Sequence, residues 1–295
     1  MHKLLQASAQ YIDSGYQSED QKEYRLSIQL RLDGFSFAII NPSSRQLLKL
    51  EEFKLTIKPG ISVDESWNIL HEYFLTFLNQ NQLDINSFQK TIITIDHQEY
   101  SMVPQVLFLK DKIEEQIGFS QSIYYPYSLF NNPIPGTDRQ LISAIYKPLY
   151  HTIQDHFNEV SILHTNTVLQ NEVNKHHKNK KIEKRLYISV SDHIMHLLGM
   201  ENENLLLNNS FSFTSKEDFV YFILLAFDQL SMNQEVDNIY FLGDISRTSP
   251  IYQICWQYIR NINFIENTWG INAGSAFDNM PIHQYFTLIH SSLCE

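Results

Sequence analysis

RLSIQLRLDGFSFAI, Arg25 to Ile39, is the stretch on which the fold turns. Its first half alternates and stops at Asp33-Gly34, a strong hairpin signal, and Phe35 to Ile40 then continues as a second strand. The reading predicts an antiparallel pair. A third strand follows around Leu47 to Ile57. A helix over Asp64 to Asn79 comes next, with Ser62 and Glu65 as a capping-box pair and Trp67, Leu70, Phe74, Phe77 and Leu78 on one apolar face. A strand Thr91 to Ile95, a helix from Ser101 to Gly118 with Pro104 in its first turn, and a strand Ser122 to Tyr127 complete the order βββαβαβ.

The order recurs from Arg185. RLYISV runs into Ser191-Asp192-His193, a second strand spans His193 to Leu198, and Leu205 to Phe213 makes a third. A helix over Ser215 to Leu230 opens with Ser215 and Asp218, and its apolar run Phe219 to Phe227 predicts burial on several sides. Strand Asn238 to Leu242, Ser249-Pro250, helix Ile251 to Arg260 and strand Asn263 to Ile265 follow. Matching features are offset by about 150 residues, as structural duplication requires. Three antiparallel strands followed by crossover helices imply a mixed sheet with helices on its faces in each copy.

Between the copies, strand Gln140 to Tyr146, helix Pro148 to Phe157, strand Val160 to His164 and a helix from Thr165 read as a smaller unit. The prolines of NNPIPGTDR, Asn131 to Arg139, mark a boundary loop. NKHHKNKKIEKR, Asn174 to Arg185, is the one basic cluster, read as a solvated linker in which His176 and His177 are not metal ligands. The expected organisation is an N-terminal extension (1–23), a first lobe (24–136), an inserted βαβα unit (137–174), a basic linker (175–184) and a second lobe (185–295).

A net charge of -11 disfavours a nucleic-acid partner, because phosphate backbones reward clustered Lys and Arg. The run Phe219 to Phe227 is closed by Asp228 and is far short of the ~20 apolar residues that span a bilayer. No leader pattern opens the chain, and Cys255 and Cys294 form neither a disulfide framework nor a metal spacing. A cytoplasmic protein is expected. IYYPYSLF, Ile123 to Phe130, sets Tyr124, Tyr125, Tyr127 and Phe130 together, either as core filling or as a partner-binding surface.

The duplicated βββαβαβ order with a small unit between the copies resembles the actin-like ATPase superfamily, two ribonuclease-H-like lobes that carry sugar kinases, chaperones, actin and bacterial scaffolds. The segment Leu141 to Thr167 resembles the βαβ subdomain of the pilus-assembly and division branch. Arg25 to Ile39 and YFLGDISRTSPIYQICWQYI, Tyr240 to Ile259, are similar to an uncharacterised bacterial domain-of-unknown-function family with that fold.

The resemblance implies an Asp at the end of the first strand of each half, holding Mg²⁺ or orienting water, then Gly and Ser or Thr holding phosphate. Arg31 stands at the first position and Ser189 and Ser191 at the second, with Asp192 displaced into the turn. Asp33, Gly34 and Ser36 look like the phosphate motif, although a hairpin explains Asp-Gly. The adenosine turn implied by the resemblance reads Gly243, Asp244, Ile245, Ser246, with an acid in place of the second glycine. Ser249 and Pro250 read as a helix cap rather than a nucleophile. A two-metal nuclease would need acids near Gln29, Arg31, Ser189 and Ser191, and only Asp96 is available. Asp96, His97 and Glu99 form a weak acid-base or metal group, read first as a polar loop.

No catalytic residue, metal ligand or cofactor is therefore assigned. The expectation is a non-catalytic interaction or scaffold module with a protein partner or a second copy of itself. The alternative is a divergent nucleotide-binding ATPase or kinase that uses ATP and Mg²⁺ through Asp33 or Asp192 in an inter-lobe cleft. Under that alternative the site residues are Asp33, Gly34, Ser36, Ser191, Asp192, Gly243, Asp244 and Ser246.

Overall fold

The computed structural model describes residues 5–57, 60–80, 83–177, 184–266 and 269–294. The chain divides into two compact units, Met1–Leu169 with Gly270–Met280 and Thr287–Glu295, and Gln170–Trp269 with Pro281–Phe286.

In the first unit β1 (Ala9–Ile12) precedes β2 (Arg25–Arg31), β3 (Gly34–Asn41) and β4 (Gln46–Lys54). The predicted hairpin is present: Arg31 pairs with Gly34 across the two residues Leu32 and Asp33. Gly34 has φ +137°, and a Cβ there would lie 2.1 Å from the Phe53 carbonyl oxygen. Only glycine fits that approach. Helix α1 (Val63–Asn79) starts at Ser62, whose hydroxyl accepts from the Glu65 N–H, one half of the expected capping box. The predicted apolar face, Trp67, Leu70, Phe74, Phe77 and Leu78, is buried and packs with Phe35, Phe37 and Phe53. β5 (Lys90–Asp96) then pairs in parallel with β2.

The next segment departs from the sequence reading. Tyr100–Pro104 is a strand, β6, and helix returns only at α2 (Ile113–Gly118). The residue before a proline is driven toward extended backbone, so Val103 favours a strand, and Pro104 ends it. The strand expected at Ser122 to Tyr127 is shifted to β7 (Tyr127–Pro133), inside what read as a boundary loop. Gly136, at φ +74°, turns the chain into β8 (Arg139–Tyr146). β6, β8 and β7 form a separate antiparallel sheet in that order.

Helix α3 (Lys147–His156), with proline in its first turn, leads to β9 (Val160–His164). β9 does not belong to a small inserted unit, because it pairs in parallel with β5 and completes the main sheet in the order β1-β4-β3-β2-β5-β9. The insert is thus the β6 to β8 segment following β5. Helix α4 (Thr165–His177) follows. Residues 178–183 of the expected basic linker lie outside the described residues. His176 stacks on Trp269, with ring centroids 4.0 Å apart.

In the second unit β10 (Lys184–Ser191), β11 (Ile194–Glu201), β12 (Asn204–Ser212), α5 (Lys216–Gln229), β13 (Asn238–Gly243), α6 (Pro250–Cys255) and β14 (Asn261–Phe264) follow the predicted order. The sheet order is β12-β11-β10-β13-β14, which matches β4-β3-β2-β5-β9 strand for strand. Ser215 and Asp218 form a complete capping box. The apolar run of α5 buries one face, Phe219, Val220, Ile223, Ala226 and Phe227, while Tyr221 is exposed, so burial on several sides is not realised. The end of the chain is not part of this unit. β15 (Asn272–Ala273) pairs with β4, and most of α7 (Phe286–Ser291) belongs to the first unit.

Candidate functional site

In the first unit the position that the resemblance gives to a carboxylate is occupied by a buried cation. Arg31 closes β2, and its Nε lies 3.0 Å from Asp33 Oδ1 while Nη2 lies 3.3 Å from Oδ2. The same Nη2 reaches Glu52 Oε1 at 3.5 Å, and Lys54 Nζ sits 3.7 Å from the other Glu52 oxygen. Asp33 is thereby committed: its carboxylate holds Arg31 and its carbonyl accepts from the Leu55 N–H at 2.7 Å. Gly34 is required by the close approach of Phe53, and Ser36 lies inside β3 between Gln29 and Glu52, buried. Asp96, opposite Arg31 on β5, accepts from Gln29 Nε2 at 3.2 Å, and Gln29 also donates to Thr287 Oγ1.

In the second unit Ser189 and Ser191 are buried in β10, and Asp192 takes φ +49° in the turn to β11, with His193 Nε2 3.6 Å from its carboxylate. Gly243 ends β13 at φ +76°, and a Cβ there would lie 1.9 Å from the Val190 carbonyl oxygen. Its glycine serves the approach of two strands. The Asp244 N–H donates to Val190 O at 2.8 Å, closing the turn onto β10. Ser249 stands at the N-cap, but its hydroxyl turns back to Ser246 O at 2.7 Å, and Ser246 Oγ pairs with Thr248 Oγ1 at 3.0 Å. Pro250 lacks an N–H, and those of Tyr252 and Gln253 donate to Ser249 O. His283 Nε2 donates to Ile245 O at 2.8 Å, and burial holds its ring below the ordinary imidazole value.

Asp96, His97 and Glu99 separate: Asp96 turns to Gln29, whereas His97 and Glu99 enter a buried array. His97 Nδ1 is 3.0 Å from Glu99 Oε2, and His97 Nε2 is 3.2 Å from Ser143 Oγ on β8. His164 Nε2 donates to His97 O at 3.0 Å, and Asn132 Oδ1 accepts from the His164 N–H. Sequence reasoning missed Ser143, His164 and Asn132, and no spacing signals them, because they come from β8, β9 and β7.

The array has the outline of a serine nucleophile with a histidine base, and two observations deny it that chemistry. Ser143 and His97 are buried. The Ala144 N–H, the nearest oxyanion donor by position, is bonded to Glu99 O. Burial pulls the Glu99 carboxyl upward, but hydrogen bonding and charge from His97 outweigh it and hold the group below its ordinary value. Burial also pushes the Tyr125 phenol up, with the Glu99 charge adding to it. The array joins the small sheet to β5 and β9.

Among the described residues no three His, Cys, Asp or Glu groups are arranged to hold a metal ion. A groove of about 570 Å³ lies at the N-terminal ends of β2, β5 and β9, beside Arg25, Lys90 and Val160, at the opposite end of the sheet from Arg31. Arg25 and Lys90 donate there to Ser292 O and Cys294 O, just beyond α7. The Mg²⁺ implied by the resemblance does not fit the donors of the first unit, since a guanidinium stands where a ligand should be and Asp33 is engaged by it.

Two five-strand cores of identical order, one with a small inserted sheet, define an α/β protein with the actin-like ATPase fold. The chain belongs to the DUF3822 family, described as proteins of unknown function, whose profile matches residues 13–262. A Bacteroides thetaiotaomicron protein with actin-like ATPase fold and unknown function is similar over 95% of this chain and 99% of its own, with a TM-score of 0.77 at 22% identity. The PilM-PilN type IV pilus biogenesis complex contains a chain similar over 92% of this one and 98% of its own, with a TM-score of 0.56 at 10% identity. No curated protein matches in sequence. Among the described residues no helix is long and apolar enough to cross a membrane.

Proposed function

We propose that this chain is a protein-interaction or scaffold module built on the actin-like ATPase fold, without ATPase chemistry. The observation that carries the reading is Arg31: a buried guanidinium paired with Asp33 and Glu52 at the end of β2 opposes a metal and has its donors committed away from phosphate. Asp244 and the closed Gly243 turn point the same way in the second unit. The alternative, an ATPase or kinase with Asp33 as metal ligand, would first have to break the Arg31 pair.

An interaction role is supported by the surface of the insert. Val106, Leu107, Phe119 and Tyr124 are exposed by 88%, 62%, 91% and 90%. Gln116 pins this surface by accepting from the Leu109 N–H and donating to Leu107 O. Large apolar groups held out in water mark contact sites. Of the aromatics read as core or contact, Tyr125 is core and Tyr124 is surface. A neighbour of this fold is a component of a protein complex, PilM-PilN, which agrees with the reading. The acidic charge argues against nucleic acid, and two free buried thiols suit a reducing cytoplasm; burial pushes the Cys255 thiol up to about 12.

Calorimetric titration with Mg-ATP, together with a phosphate-release assay, tests the reading. No heat of binding and no release are expected, and micromolar binding or steady release would overturn it. A pull-down with the wild-type chain and with Phe119→Ser should show a partner that the variant loses.

A further inference from the structure

We infer that Arg31 is a cation built into the first unit in place of a divalent metal: it supplies the positive charge that Asp33 requires and, with Lys54, the charge that Glu52 requires, so the unit takes no metal and needs none to fold. The inference deepens the non-catalytic reading and rests on it. Glu52 is buried and Asp33 half-buried, and a carboxylate withdrawn from water must be paired or lose its charge. The guanidinium meets that need with fixed geometry: Nε and Nη2 take both oxygens of Asp33, and Nη2 extends to Glu52. A lysine ammonium is a point charge and lacks this fork, and arginine stays protonated at every accessible pH.

The strand register places Asp96 opposite Arg31 on β5, where the neutral Gln29 donates to that third carboxylate. A divalent ion entering this place would meet a like charge already seated. The absence of any three-ligand group among the described residues agrees. The charge is thus permanent and does not depend on metal supply.

The test is thermal unfolding of the full chain in EDTA and then in excess MgCl₂ or MnCl₂, with no nucleotide. The midpoint is expected to be the same within about 1 °C, since a ligand that binds only the native state would raise it. Arg31→Gln should lower the midpoint by several degrees, and adding Asp33→Asn to that variant should recover part of the loss. A saturable rise of the wild-type midpoint with Mn²⁺ that disappears in Asp33→Asn would overturn the inference, as would an Arg31→Gln midpoint equal to wild type. If Arg31→Gln does not fold, the double variant decides: a folded double variant supports the charge role, and an unfolded one shows that Arg31 acts by packing and sinks it. Metal binding without ATP turnover removes this inference alone, whereas ATP turnover removes the non-catalytic reading.

Discussion

Arg31 and Asp33, two residues apart across the β2 to β3 turn, form a two-point ion pair with Nε to Oδ1 3.0 Å and Nη2 to Oδ2 3.3 Å. A hairpin turn residue and a strand-end residue thereby neutralise each other at the point where the fold ordinarily gathers carboxylates for chemistry. Asp33→Asn should cost about 2 kcal/mol of stability, less than the loss of a fully buried partner, because Asp33 is partly exposed and Glu52 still faces Arg31. Urea unfolding monitored by circular dichroism measures it.

Gly34 opens β3 in the first unit and Gly243 ends β13 in the second, each at positive φ with a backbone carbonyl oxygen where a Cβ would stand. Alanine at either should destabilise by at least about 2 kcal/mol, since backbone rather than a flexible side chain blocks the added carbon. Unfolding midpoints of Gly34→Ala and Gly243→Ala check this. An equal loss with and without Mg-ATP would assign both glycines to strand packing rather than nucleotide binding.

The two helix caps should respond differently. Ser215→Ala should lower stability by about 1 kcal/mol, because it removes a hydroxyl that accepts from the Asp218 N–H. Ser249→Ala removes no bond to the first turn of α6, and its hydroxyl holds the local turn through Ser246 O and, at 3.4 Å, the Ser246 N–H, so a loss of about 0.5 kcal/mol is expected. Chemical denaturation of the pair of variants side by side gives the comparison.

The pH dependence has a defined sign. Glu99 ionises below its ordinary value of 4.5 in the folded chain, so its contribution is complete above pH 4.5 and is lost as pH falls through the folded value. His283, held by burial below its ordinary 6.5, resists protonation when folded and adds an earlier loss as pH drops below 6.5. Unfolding midpoints measured from neutral pH downward should therefore fall in two stages. Glu99→Gln should flatten the lower stage, and His283→Gln should lessen the upper, which His71, also lowered by burial, shares.

Ser143→Ala tests the buried array. A loss of about 1 kcal/mol from its contact with His97 is expected, and the wild-type chain should not be labelled by a fluorophosphonate probe. Labelling of the native protein at Ser143 would restore the nucleophile reading.

Much of the architecture was legible because it is local. The Asp-Gly hairpin, the spacing of Trp67, Leu70, Phe74 and Phe77, and the Ser215 cap depend on residues within a few positions of one another, and each is found where the sequence placed it. The segment from Ser101 to Pro133 misled because a proline that opens a helix and one that ends a strand differ little in composition; the effect of Pro104 on Val103 was the available clue. The membership of β9 could not be read at all, since parallel pairing with β5 joins strands separated by the whole insert.

By itself the sequence determined which residues stand where the resemblance implies an acid and a glycine: Arg31 and Asp244. Only the tertiary structure decided what those replacements do. Arg31 has meaning through Asp33 and Glu52, from a turn and from β4, and Gly243 through Val190 on β10. The array of His97, Glu99, Ser143 and His164 likewise exists only because two strands and a loop converge in the interior. Local propensities act along the chain and are written in order, whereas burial and charge pairing act through space between residues whose separation in sequence carries no signal.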